Sequence, residues 1–341
     1  MDQRANNKGI WLVFALLIIA GIFATYKQDF FTTKIYYAYV PNAVDGTVSI
    51  IDTSKNEIVK QVEIGVSASH GIAVSRDGKY IYTGNLEDGD MVIVDAVTGE
   101  EVKRIRIGRN VHGIDITPDG KYVYISSGDL KDNEQYNYVS VLSTDTNEVI
   151  EQITADWKSP AHIDFSGDGK YAYVSNVMSN EVAIVDTANR KIIKRIPVGS
   201  IPNETEPSKD GKRLYVANVG DGTLSVIDLE ELQVMGTIEA GKGTHGIAVT
   251  PNDKYIWTAN RTSKDVSKID AASGKVIKSV KTGGTPNHVT ITPNGKTMYV
   301  SSKDTGEIMV VDLTKERIVQ TIYTGKEPHE IDLVSLKQAA Y

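Results

Sequence analysis

The stretch KGTHGIAVTPNDKYIWTANRTSKDVSKIDAASGKVIKSVKTG, residues 242–283, decides the fold. Four runs in it alternate or are rich in β-branched and aromatic residues: 246–250, 255–259, 266–269 and 276–280. Turn-forming clusters separate them: Pro251-Asn252-Asp253, then Asn260-Arg261-Thr262-Ser263, then Ala272-Ser273-Gly274. Runs of about five such residues bounded by turn-formers read as strands. Four hairpin-linked strands make one antiparallel sheet, which cannot bury both faces alone. A unit of this size that recurs along a chain stacks against copies of itself.

The unit recurs. Its first turn carries Asp77, Asp119, Asp168, Asp210, Asn252 or Asn294, at spacings of 42, 49, 42, 42 and 42 residues. The second strand gives YTGN (82–85), YISS (124–127), YVSN (173–176), YVAN (215–218), WTAN (257–260) and YVSS (299–302). The third strand ends on an aspartate at 95, 186, 228, 270 and 312, with Ser143 as the exception. One unit is split between the chain ends. Residues 35–62 supply a second, third and fourth strand, with YVPN at 39–42, and 328–334 (PHEIDLV) supply a first strand. Joining them gives a seventh sheet and closes a ring, the propeller solution to exposed sheet edges. The expectation is an all-β, seven-bladed propeller over 35–334, preceded by an N-terminal segment (1–34) and followed by a short tail (335–341).

These second-strand motifs resemble the YVTN-repeat β-propeller family, which includes YncE-like and cytochrome-d1-like propellers. The resemblance covers residues 35–334 and concerns fold, because propellers host many unrelated activities.

Composition narrows the function. A net charge of −7 without a block of like charges argues against a nucleic-acid surface. The absence of cysteine removes disulfides, c-type haem attachment and thiol catalysis. The sequence has no G-x-S-x-G elbow, H-E-x-x-H pair or P-loop, so an independent enzyme is the weaker expectation. Residues 10–24 (IWLVFALLIIAGIFA) carry no charge, and Thr25 and Tyr26 extend the run to the short end of a membrane-spanning helix. Trp11 and Tyr26 bracket it as interfacial anchors, and Arg4 and Lys8 favour a cytoplasmic N-terminus. The expectation is a transmembrane anchor with the propeller outside the cytoplasm, or, alternatively, secretion after cleavage of a signal segment.

The 49-residue spacing marks a seven-residue insertion within 128–138. Asp129, Asp132 and Glu134 there could offer oxygen ligands to Ca²⁺, without matching an EF-hand, or form a solvated acidic loop.

All six histidines occupy one place in the repeat. His70, His112, His245 and His329 share a slot, His162 and His288 follow one residue later, and the remaining unit has Asn203-Glu204. This slot opens the innermost strand, so the histidines, Asn203 and Glu204 are expected on one face of the propeller. Between the apolar pairs of the innermost strands stand Asp115, Asp164, Glu206 and Asp332, which are expected to line the channel. The histidine ring has two readings: a repeated structural contact where blades meet, or a site for a metal, a haem or a partner's group.

The resemblance adds further expectations. The haem d-one domain of cytochrome-cd-type nitrite reductase and related haem biogenesis proteins are similar propellers with histidines over the tetrapyrrole, which implies haem or divalent-metal binding as the alternative reading. That domain has eight blades and a c-type cytochrome partner domain, from which this chain departs. Haem-free propellers of this size also stand beside multihaem proteins in extracytoplasmic redox complexes such as hydrazine synthase. The expected role is therefore a binding or scaffold module that meets a protein partner through the histidine-bearing face, with no cofactor of its own.

Overall fold

The computed structural model describes residues 35–85, 89–128 and 137–336. The apolar segment 10–24, the acidic residues Asp129, Asp132 and Glu134, and the tail from 337 lie outside the described residues. Among the described residues no helix is long and apolar enough to cross a membrane.

The tight turns come first, because they set the hairpins. In six repeats the turn residue at the expected position accepts hydrogen bonds from a hydroxyl two residues earlier and from the backbone two residues later. Asp119 Oδ1, for instance, takes Thr117 Oγ1 at 2.7 Å and Lys121 N at 3.1 Å. The next residue turns left-handed, with φ near +70° at Gly78, Gly120, Gly169, Gly211 and Gly295, a conformation glycine reaches without steric cost. The aspartate closing the third strand caps the following turn in the same way: Asp228 Oδ1 accepts Glu230 N at 2.8 Å and Glu231 N at 2.9 Å.

These hairpins build seven antiparallel sheets of four strands. In chain order, the first six blades open on the innermost strands Ile72–Val74, Val111–Ile116, Pro160–Phe165, Pro202–Pro207, Thr244–Val249 and Pro286–Ile291. The seventh blade is composite. Asp332–Leu336 pairs with Ile35–Asn42, with Leu333 opposite Ala38 and Val334 opposite Tyr37, and this sheet continues through Thr47–Asp52 to Glu57–Glu63. Its first strand is shorter at the front than the expected 328–334 and runs on to Leu336. Residues 329–331 swing out of the ladder, leaving an isolated bridge between Asn42 and Pro328.

The apolar core lies between blades rather than within them. Tyr215 and Leu224 of the fourth blade pack with Ile247, Ile256 and Ile269 of the fifth, and equivalent clusters fill the other gaps. The fourth strands face outward and are largely exposed, as in Lys275–Lys281.

Candidate functional site

The innermost strands leave the hydrogen-bond ladder at one shared point. Register shifts fall between Val111 and Ile114, Pro160 and Ile163, Pro202 and Thr205, Thr244 and Gly246, and Pro286 and Val289. The histidine slot sits inside or beside each irregularity, and a bulge of this kind re-aims a side chain. The result is that the six imidazoles turn toward the channel axis and touch one another. Ring centroids are 5.0 Å apart for His70 and His112, 4.9 Å for His112 and His162, and 4.8 Å for His162 and His288. His288 stands 4.7 Å from both His245 and His329. His329 stacks flat on His70 at 3.9 Å.

The repeat places the histidines on one face of the propeller, and their side chains fill that end of the channel. His162, His245, His288 and His329 are only 1–3 % exposed, while His70 and His112 are half-buried. Close blade approach makes this closure compact. A Cβ on Gly246 would stand 2.6 Å from Asn287 O and 2.7 Å from His288 Cα, so only glycine lets these two innermost strands come together there.

Burial lowers the pKa of all six histidines; the Arg261 guanidinium adds to the effect for each, and neighbouring imidazoles add to it for all but His288. For His112 the value falls to about 4. The imidazoles are therefore neutral at physiological pH. Arg261 itself is pushed down to about 10 by burial, opposed by Glu327, and it donates through Nε to Asn287 Oδ1 at 2.6 Å.

Below the imidazoles the channel widens into a cavity of about 520 Å³, lined by Asp115, Asp164, Glu204, Glu206, Glu330 and Asp332. All four of the carboxylates expected in the channel are there. Glu204 is there too and also reaches the histidines, with its Oε2 3.2 Å from His288 Nδ1; Asn203 is buried beside it. The carboxylates also hold neighbouring blades together. Glu204 Oε2 accepts Ile247 N at 2.8 Å, and Asp332 Oδ2 accepts Val74 N at 2.8 Å. Glu330 Oε2 accepts Ile72 N at 3.3 Å, and Asp164 Oδ2 accepts Thr205 Oγ1 at 2.6 Å. Each takes a polar group from the edge of the next innermost strand, groups that would otherwise lack a partner at the axis.

Burial raises the pKa of Asp115, Asp164, Glu204 and Glu330 well above the usual carboxylate range, and their mutual repulsion adds to it. Asp332 rises to about 6, again by burial, held back by Val74 N and Arg76. Lys209 is paired with Glu206 at 2.6 Å, and its ammonium is stabilised chiefly by that glutamate.

The sequence reading missed Glu330, Lys209 and Arg261. Glu330 follows a slot histidine as Glu204 follows Asn203, so the alignment held a signal for it. Arg261 and Lys209 stand in turns beside Asn260 and Asp210, at repeat positions whose side chains vary from unit to unit. The asparagines that end the second strands, Asn42, Asn218 and Asn260, bond within their own blades. Asn218 Nδ2 donates to Thr223 Oγ1 at 3.0 Å and Ser225 Oγ at 2.9 Å, and Asn42 and Asn260 make the same pair of contacts at +5 and +7. These amides fasten the second strand to the third.

A closed ring of seven four-stranded blades with YVTN-type second strands defines a repeat propeller. The family model for YncE-like beta-propellers matches residues 31–339, so the chain belongs to that family. Solved structures agree on the fold. A chain of Kuenenia stuttgartiensis hydrazine synthase is 21% identical with a TM-score of 0.68, over 78% of this chain and 89% of that one. The periplasmic gluconolactonase of Pseudomonas aeruginosa is 15% identical with a TM-score of 0.72, over 88% and 99%. The dihydro-haem d1 dehydrogenase NirN is 17% identical with a TM-score of 0.63, over 87% and 74%. No curated protein sequence matches the chain at a significant level.

Proposed function

We propose that this protein is a non-catalytic binding module outside the cytoplasm, tethered by its apolar segment 10–24, that docks a partner protein at the acidic end of its channel. The observation that carries this reading is the cavity itself. It is of ligand-binding size, and six carboxylates around it face a single paired lysine. A basic group projected by a partner would offset the burial and mutual repulsion that raise the pKa of these carboxylates, and so favour their charged forms. The histidine end is filled by its own side chains and offers less to a protein surface. The family resemblance makes a multihaem subunit of an extracytoplasmic redox complex the partner we infer.

Purification from native membranes in mild detergent tests this reading. One companion chain should co-elute at constant ratio, without a Soret band, and be released by raised salt. The Asp164→Asn/Glu206→Gln variant should lose the companion while keeping its fold. A Soret band on the propeller alone, or a companion held equally well by that variant, overturns the reading.

A further inference from the structure

We propose that the imidazole cluster at the closed end of the channel is a metal site, taking a borderline transition-metal ion of the zinc or copper kind through histidine nitrogens alone. The inference does not depend on the partner reading, since it rests on imidazole nitrogens and not on the carboxylates, although His288 borders the acidic cavity.

Unsatisfied nitrogens carry it. His70 Nδ1, His112 Nδ1, His162 Nε2, His288 Nε2 and His329 Nδ1 are all buried without a hydrogen-bond partner. Buried polar atoms are nearly always paired, and a cluster of orphans marks a missing water or ion. A purely structural role would have each ring bond the backbone where blades meet. Among the described residues only His245 does so, through Nδ1 to Asn287 O at 3.2 Å; His288 Nδ1 faces Glu204 at 3.2 Å instead.

Spacing agrees. Zinc–imidazole bonds of about 2.0–2.1 Å in tetrahedral geometry place two ligand rings with centroids about 5 Å apart. The pairs His112–His162, His162–His288, His245–His288 and His288–His329 stand at 4.7–4.9 Å. Chemistry agrees too: burial keeps the rings neutral, the form that binds metal, and an all-imidazole set selects zinc, copper or nickel over calcium or magnesium.

Two features oppose binding. As the rings stand, among the described residues no three histidine, aspartate or glutamate side chains are placed to hold one ion. Binding therefore requires rings to turn about χ2, a torsion with a broad profile. Arg261 sets a positive charge nearby, partly offset by Glu327. The half-buried His70 and His112 mark the side from which an ion enters.

The test is a titration of the full chain, stripped with chelator, with Co²⁺ as a spectroscopic probe and with Zn²⁺ and Cu²⁺ in competition. Stoichiometric binding is expected, with ligand-field bands of nitrogen coordination and a melting temperature that rises with ion concentration. The His162→Asn/His288→Asn variant should lose affinity by about 100-fold or more, the upper end of what removal of even an outer-shell partner costs. No binding by the folded stripped chain, or binding unchanged in that variant, overturns the proposal. Should the variant fail to fold, histidine ¹⁵N shifts of the wild-type chain decide: ring nitrogens that do not move on adding Zn²⁺ also overturn it.

Discussion

The two ends of one channel are built from neighbouring residues of the same strands, yet they answer burial in opposite ways. At the closed end, burial strips protons from imidazoles; at the open end, it returns protons to carboxylates. In both cases burial shifts the balance toward the neutral form, because low-polarity surroundings penalise whichever form is charged. The difference lies in how the residues are used. Four of the six carboxylates serve the edge of the next blade, whereas most imidazoles have a ring nitrogen left over.

The comparison has a consequence for pH. A histidine whose folded pKa is depressed adds stability that is present above about pH 6.5 and is lost as pH falls through the folded value. A carboxylate whose folded pKa is raised adds stability that is present below about pH 4 and is lost as pH rises through the folded value. Between these limits the two ends pull against each other.

Neutralising one side should expose the other, and this is the largest effect expected. Asp332→Asn keeps an acceptor for Val74 N. With a pKa near 6 against an ordinary 3.8, removing its charge should stabilise the fold by about 3 kcal/mol at pH 8. The gain should vanish near pH 4. Urea unfolding at pH 8, 6 and 4 reads it directly, and a gain that does not vary with pH would show that folding does not raise the Asp332 pKa.

Next in size is the bridging role of the open end. Glu204→Ala leaves Ile247 N without its partner and should cost about 1–3 kcal/mol, while Glu204→Gln, which retains an acceptor, should cost less. Equal losses for the two would mean that charge rather than the hydrogen bond matters there.

The closed end is tested by crowding. Gly246→Ala drives a Cβ against Asn287 O and His288 Cα, and should cost about 1–3 kcal/mol as overpacking. In a denaturant series its loss should be the same at pH 8 and pH 6; a pH-dependent loss would tie this contact to imidazole protonation.

Smallest is a change that touches neither end's titration. Asn218→Ala removes two hydrogen bonds between second and third strands and should cost about 0.5–1.5 kcal/mol, with a midpoint shift that does not vary with pH. A variation would mean that the amides couple to the histidine cluster.

Much of this was legible in the chain. The turn aspartates, the second-strand motif and the split unit at 35–62 and 328–334 carry blade number and ring closure, because strand alternation and turn chemistry are local and repeat at a fixed spacing. Asp115, Asp164, Glu206 and Asp332 could be assigned to the channel from alternation alone. Glu204 could not be. Its neighbourhood breaks the apolar pattern, and a bulge at that point changes which way the following residues face.

The sequence alone therefore determined the architecture and which residues share the axis, since periodicity survives in one dimension. Only the tertiary structure decided that the histidines close the channel rather than ring it, that their nitrogens lack partners, and that the carboxylates enclose a cavity. Those outcomes depend on how closely seven blades approach at a common centre. That distance is set by glycines, bulges and packing between sheets far apart in sequence.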